Sequence, residues 1–174
     1  DIRSKFVVIS VIHLSKIPYI VKSRSSIKLL ENLKTNNFPI LFDGLHTTYF
    51  LNHTDLSNRK RFVRLHNIEH CYYRSLAANE QNLFRRLYYR MESQKLEKYE
   101  KVIKGAVNNF TISQNDHDYF SSNYQNVICI PPFHPYEETA CSPGKGKYIL
   151  YHGDLSVNEN SVTAESLITN VFNG

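Results

Sequence analysis

The sequence predicts an α/β fold, a parallel sheet flanked by helices. Two observations carry that expectation: short β-rich runs alternate with stretches of helical period, and polar clusters stand directly after the runs. Strand-then-helix order builds parallel βαβ units with right-handed crossovers. The 174 residues suffice for one well-buried α/β domain, or for one domain and a piece of another.

The elements follow in order. Phe6 to Ile12 reads as a strand or a short buried helix, and Ile27 to Leu33 as helical. Pro39-Ile40-Leu41-Phe42 is a strand stopped by Asp43-Gly44, Phe62-Val63-Arg64-Leu65 a second, Val107 to Ile112 a third, and Val127-Ile128-Cys129-Ile130 a fourth, ended by Pro131-Pro132. Tyr148-Ile149-Leu150-Tyr151 reads as a fifth, ended by His152-Gly153. Between them, Leu83, Phe84, Leu87, Tyr88, Met91, Leu96, Tyr99, Val102 and Ile103 recur at helical spacing, with Gly105 placed to end a long helix. Ser113-Gln114-Asn115-Asp116 is a capping-box-like start for a helix carrying Tyr119 and Phe120. Asn158 to Phe172 reads as another, with Val162, Leu167, Ile168 and Val171 on its apolar face. Pro131 to Lys147 keeps no period and reads as a linker.

Composition is that of a folded, soluble chain: 41% hydrophobic and 13% aromatic, with a formal charge of +5. Cys71, Cys129 and Cys141 are far apart and odd in number, which reads as reduced thiols in a cytoplasmic protein. No apolar run reaches the roughly 18 residues needed to span a bilayer. Much of the positive charge falls at Arg59-Lys60-Arg61, Arg64, Arg85-Arg86, Arg90 and from Lys95 to Lys104. Docking of the basic helix on the inner face of the cytoplasmic membrane would fit, and so would a solvated surface.

Ligands of an open parallel sheet bind outside the carboxyl ends of the strands. Asp43-Gly44-Leu45-His46 follows the strand from Pro39, His66-Asn67-Ile68-Glu69-His70 the second, Ser113 the third, Phe133-His134 the fourth and His152-Gly153-Asp154 the fifth. Polar turns are ordinary, but the histidines with Asp43 and Glu69 on one rim point to a functional cleft. His66-Asn67-Ile68-Glu69-His70 also matches H-x-x-E-H, a zinc signature that needs both histidines on one helix face. His66 closes a β-type run, so no metal is expected. Neither G-x-G-x-x-G nor G-x-x-x-x-G-K-[ST] nor G-x-S-x-G occurs, so no cofactor is expected, and no stacked-aromatic RNA motif is present.

Four strings carry a resemblance: P-I-L-F-D-G-L-H-T-T-Y-F-L from Pro39, R-L-H-N-I-E-H-C-Y-Y from Arg64, I-P-P-F-H from Ile130 and L-Y-H-G-D-L-S-V-N-E-N from Leu150. Together they resemble bacterial glycosyltransferases of the group 1, or family 4, retaining GT-B type, as found among Bacteroides-like proteins. The resemblance implies a Rossmann-like acceptor-side domain over residues 1–130, an inter-domain linker over 131–147 and the start of a sugar-nucleotide domain over 148–174. It implies a UDP- or GDP-linked donor and a glycan or lipid-linked acceptor. His66 is then the expected catalytic residue, Asp43, Gly44, His46, Glu69 and His70 line the acceptor side, and Gly153 and Asp154 the nucleotide-sugar side. Asp43 stands where these relatives carry glutamate, and Gly153-Asp154 where the broader family often shows Gly-Arg. The family's glycine loop and its E-x7-E carboxylates are not recognisable in the chain, which is therefore expected to be a fragment, inactive alone. The alternative is a non-enzymatic α/β module binding a ligand or a metal.

Overall fold

Backbone amides buried in an apolar layer need partners, and the β-rich runs find them in one another. In the computed structural model, which describes residues 15–133, 135, 138, 144–156 and 158–172, four strands form a parallel sheet in the order β1-β2-β3-β4. They are β1 (Ile40–Asp43), β2 (Arg61–Leu65), β3 (Asn108–Thr111) and β4 (Val127–Cys129). Sequential order means that each crossover returns to the neighbouring position, so all the carboxyl ends lie along one edge. With helices flanking the sheet, the architecture is Rossmann-like α/β, as the alternation of runs predicts. Phe6 to Ile12, His134 and Cys141 lie outside the described residues.

The core forms where strand and helix periods bring apolar positions to a common side. Ile40 and Phe42 of β1 and Val63 and Leu65 of β2 meet Leu45, Phe50, Leu51, Leu56, Leu96, Ile103 and Phe120. Each such side chain stabilises the fold by roughly 1.5–3 kcal/mol. Among the described residues two short helices precede the sheet, α1 (Tyr19–Lys22) and α2 (Ile27–Lys34). A single turn such as α1 cannot hold itself. The wholly buried Glu92 fixes its start, Oε2 accepting the Tyr19 N–H at 2.6 Å while Oε1 accepts from Lys95 at 2.9 Å. Arg59 ties α2 to β1, its guanidinium donating to the carbonyls of Leu33 and Phe38 and to Asn36 Oδ1.

The helices that follow are α3 (Glu69–Asn79), α4 (Leu83–Tyr99) and α5 (Gln114–Asn123). Asn82 caps α4, its Oδ1 accepting from the amides of Phe84 and Arg85. The long helical pattern is corrected in two ways. First, α4 stops at Tyr99 and the chain tightens into a 3-10 turn, Glu100–Gly105, before Gly105 ends it. Second, the buried face of α4 is Glu92, Ser93 and Leu96, while Leu83, Phe84 and Leu87 are exposed. Apolar spacing identified the helix but not its inward side, because Glu92 and Ser93 are buried for their hydrogen bonds rather than for their hydrophobicity. For α5 the expected cap is present: Ser113 Oγ accepts the Asp116 N–H at 3.2 Å and donates to Asp116 Oδ2 at 2.5 Å.

By its contacts the chain divides into two units, Asp1–Phe133 and His134–Gly174. In the second, α6 (Asn158–Ser166) continues as a π-helical turn, Leu167–Val171. The expected apolar face of this helix is not covered, as Val162, Ile168 and Val171 are exposed. The fifth strand is also corrected: residues 148–151 are not β structure, and Tyr148, Ile149 and Leu150 are exposed. A strand needs another strand to satisfy its backbone, and the described residues of this unit contain none.

Candidate functional site

The site begins with a register. Asp43 pairs with Arg64 across β1 and β2, and β1 is extended by the Gly44 N–H donating to the Arg64 carbonyl at 2.7 Å. His66, just past the end of β2, therefore reaches Asp43. Its Nε2 lies 2.7 Å from Asp43 Oδ1, and Arg64 Nη1 approaches the same oxygen at 3.5 Å. These contacts, the His66 hydrogen bond above all, hold the Asp43 carboxyl below the usual carboxylate range. An ionised carboxylate only accepts, so Nε2 of His66 carries a proton and a neutral ring keeps its lone pair on Nδ1.

Gly44 turns the chain from strand to a 3-10 segment, Leu45–Phe50. Its φ of 94° lies in the region that favours glycine, and a Cβ there would stand 2.4 Å from His46 Cε1. The backbone thus favours glycine, and a Cβ would push the His46 ring aside. Gly44→Ala is expected to cost about 1–3 kcal/mol and to displace the His46 ring. A denaturant melt reads the first effect and the His46 ring resonances read the second.

The displaced ring matters because His46 faces the start of α3. Its Nδ1 lies 4.0 Å from Glu69 Oε1, too far for a hydrogen bond. Burial, opposed by the charges of His66 and Arg24, raises the Glu69 pKa, while burial and then the charges of Arg24 and His66 lower that of His46. Both shifts favour uncharged forms, so desolvation outweighs ion pairing between these two. Two carboxyls on one rim are thus driven apart, Asp43 toward the ionised state and Glu69 toward the protonated one. A carboxyl whose folded pKa is raised contributes stability below its unfolded pKa and loses it as pH rises through the folded value. Hence Glu69→Gln is expected to raise the thermal midpoint at pH 7 and to flatten the decline in stability above about pH 4, as pH-dependent melts would show.

Asp43, Gly44, His46 and Glu69, expected on the acceptor side, come together with the expected catalytic residue His66 at the ends of β1 and β2. His70 does not join them. It is buried, with Nδ1 3.2 Å from Glu100 Oε2 and Nε2 3.4 Å from the Cys71 sulfur. The two histidines of the H-x-x-E-H string therefore serve different partners. Among the described residues no group of three or more His, Cys, Asp and Glu side chains is arranged to hold a metal. Gly153 and Asp154 lie in the second unit, where Asp154 Oδ1 accepts from the Ser156 amide at 2.9 Å and hydroxyl at 2.7 Å.

Sequence reasoning missed Arg24, Arg64 and Asn67. The register of β1 on β2 would have found Arg64, whereas Arg24 sits in a Ser-rich turn with no pattern to mark it. Asn67 follows His66 directly, and its Oδ1 is buried without a partner among the described residues.

No protein-family model matches the chain, and no solved structure matches it. No helix among the described residues is long and apolar enough to cross a membrane. The chain is similar to an uncharacterized 44.6 kDa protein in the cps region of Klebsiella pneumoniae, 26% identical over 122 residues, which is 70% of this chain and 31% of that relative's length.

Proposed function

We propose that this chain carries the acceptor side of a retaining GT-B glycosyltransferase that moves a sugar from a UDP- or GDP-linked donor to a glycan or lipid-linked acceptor. The observation that carries the reading is the Asp43–His66 pair at the carboxyl edge of the parallel sheet. Asp43 fixes the proton on Nε2, and Nδ1 of the neutral ring takes the proton from the acceptor hydroxyl as its oxygen bonds to the anomeric carbon, on the same face from which the nucleoside diphosphate departs with the electron pair of the broken C–O bond, the geometry that retention requires. His46 and Glu69 offer hydrogen bonds to sugar hydroxyls from a partly desolvated rim, where burial disfavours the charged form of each. The four strings of the sequence and the relative's place in a cps region support a role in polysaccharide assembly.

In this reading residues 1–130 form the acceptor domain, 131–147 the linker and 148–174 the start of the donor domain, with Gly153 and Asp154 toward the nucleotide. Asp43, Gly44, His46 and Glu69 meet the acceptor, and His70 has a packing role beneath them. Stabilisation of the leaving diphosphate belongs to the longer protein. The proposal is tested by incubating that longer protein with labelled UDP- and GDP-sugars and with glycan and lipid-linked acceptors. Transfer with the donor's anomeric configuration retained is expected. Absence of transfer across both donor classes, or product of inverted configuration, would contradict it.

A further inference from the structure

At the amino edge of the sheet, opposite the edge that carries Asp43 and His66, the 3-10 turn before β3 meets the end of α5 and the turn into β4 around a cleft of about 490 Å³. That size falls within the roughly 300–1,000 Å³ of small-molecule sites. Its floor is Asn109, 2% exposed, whose Nδ2 donates to the Ile103 carbonyl at 3.3 Å while Oδ1 accepts no hydrogen bond among the described residues. A buried acceptor without a donor is costly, so it calls for a partner. On the wall, the Ser121 and Ser122 hydroxyls donate to the Asp118 carbonyl at 3.3 and 2.7 Å, and Asn123 Nδ2 donates to the Tyr119 carbonyl at 2.8 Å. Each of these groups spends a donor on α5 and keeps an oxygen that can accept. Gln125 and Asn126 add exposed amides at the mouth. The turn they form is fixed: Asn126 stands at φ 57° and its carbonyl accepts the Asn109 N–H at 2.9 Å. Among the described residues no carboxylate lines the cleft, and Lys104 is its single cation.

We propose that this cleft is a glycan-binding subsite that takes a neutral sugar unit. Uncharged acceptors from Asn109, Ser121, Ser122 and Asn123 suit the O–H donors around a sugar ring, and the Gln125 and Asn126 amides can return donors to its oxygens. The half-buried Tyr124 and the Ile103 side chain give apolar surface for the C–H face of the ring. An anion needs converging donors, and here it would meet a set of oxygens with Lys104 alone to offset them. Strands of three to five residues separate the two edges of the sheet by roughly 10–17 Å at about 3.3 Å per residue. A sugar held here is therefore not the one at the rim: the subsite anchors a remote part of a longer chain, and it stands independently of the reaction proposed for Asp43 and His66.

The test is an NMR titration of the isotope-labelled intact protein with maltotriose, N-acetylchitotriose and galactotriose, and with galacturonate and UMP for comparison. Saturable binding of at least one neutral trisaccharide is expected, with larger amide shifts at Asn109 and Gln125 than at Asp43 and His66, and unchanged in His66→Ala. Gln125→Ala and Asn126→Gly should each raise the Kd about fivefold. Thermal midpoints should stay unchanged, because both side chains are exposed and glycine suits the backbone at Asn126. Turnover of the two variants with a short acceptor should also be unchanged, which separates failure of the subsite from failure of the rim. No shift with any trisaccharide, shifts confined to the rim, or binding that both variants leave intact would overturn the proposal. So would galacturonate or UMP shifting the same amides as strongly, since the cleft would then be a site for an anion or a base.

Discussion

Glu100→Ala is expected to cost about 3–5 kcal/mol of folding stability, a large share of the roughly 5–15 kcal/mol that a domain possesses. Glu100 is 2% exposed and receives three hydrogen bonds: from His70 Nδ1 at 3.2 Å, Tyr119 Oη at 3.0 Å and Tyr124 Oη at 2.9 Å. The cluster joins the start of α3, the 3-10 turn after α4, and the middle and C-cap of α5 at one carboxylate. Alanine would leave three donors without an acceptor, at about 1–3 kcal/mol for each that finds no water. Glu100→Gln should be milder, because the amide oxygen still accepts while its nitrogen faces a donor. Equilibrium unfolding in urea measures both variants.

The same cluster sets an alkaline limit. Burial first, and then the Glu100 carboxylate, push the Tyr119 and Tyr124 phenols well above their usual range. A group with a raised folded pKa stabilises the protein fully below its unfolded value and loses that contribution as pH rises through the folded one. Stability should therefore fall above about pH 10.

How much of this was legible in the sequence depends on what each residue is buried for. The four strands of the sheet, the Ser113 cap and the rim at Asp43 and His66 follow from local signals: β-rich runs, a capping pattern and polar residues at strand ends. Glu92 and Glu100 left no such signal, because an acidic residue on a helix reads as solvent-facing until its distant partners, Tyr19 and Tyr124, are known. The exposed Phe84 misled in the opposite sense, since apolar spacing alone implies burial. His70, expected with Glu69 on the acceptor side, turns inward instead, because a strand end and a helix start separate its direction from that of His66 within five residues. The segment from Tyr148 to Tyr151 has strand composition, but composition cannot supply the neighbouring strand.

His66→Ala in the longer protein is expected to lower turnover by about 10²–10⁴-fold, the usual contribution of a positioned general base. Its effect on stability should be small. The His66 side chain is 37% exposed and its partner Asp43 is 56% exposed, so removing the ring opens no cavity and strands no buried group. Surface substitutions of this kind usually change stability by less than about 0.5 kcal/mol. Turnover and a thermal melt on the same preparation separate the catalytic role from a structural one.

Asp43 acts through His66 if the pair is the chemical centre. Asp43→Asn keeps the shape but presents an amide whose nitrogen can donate to Nε2, which moves the ring proton to Nδ1 and removes the lone pair that the acceptor hydroxyl needs. The most direct measurement is a double-mutant cycle of kcat/KM with Asp43→Asn, His66→Ala and both together. Each single change is expected to cost at least about 10²-fold, and the double variant to be no worse than His66→Ala alone. Independent effects that multiply, or a His66→Ala enzyme that keeps near-normal turnover, would contradict it.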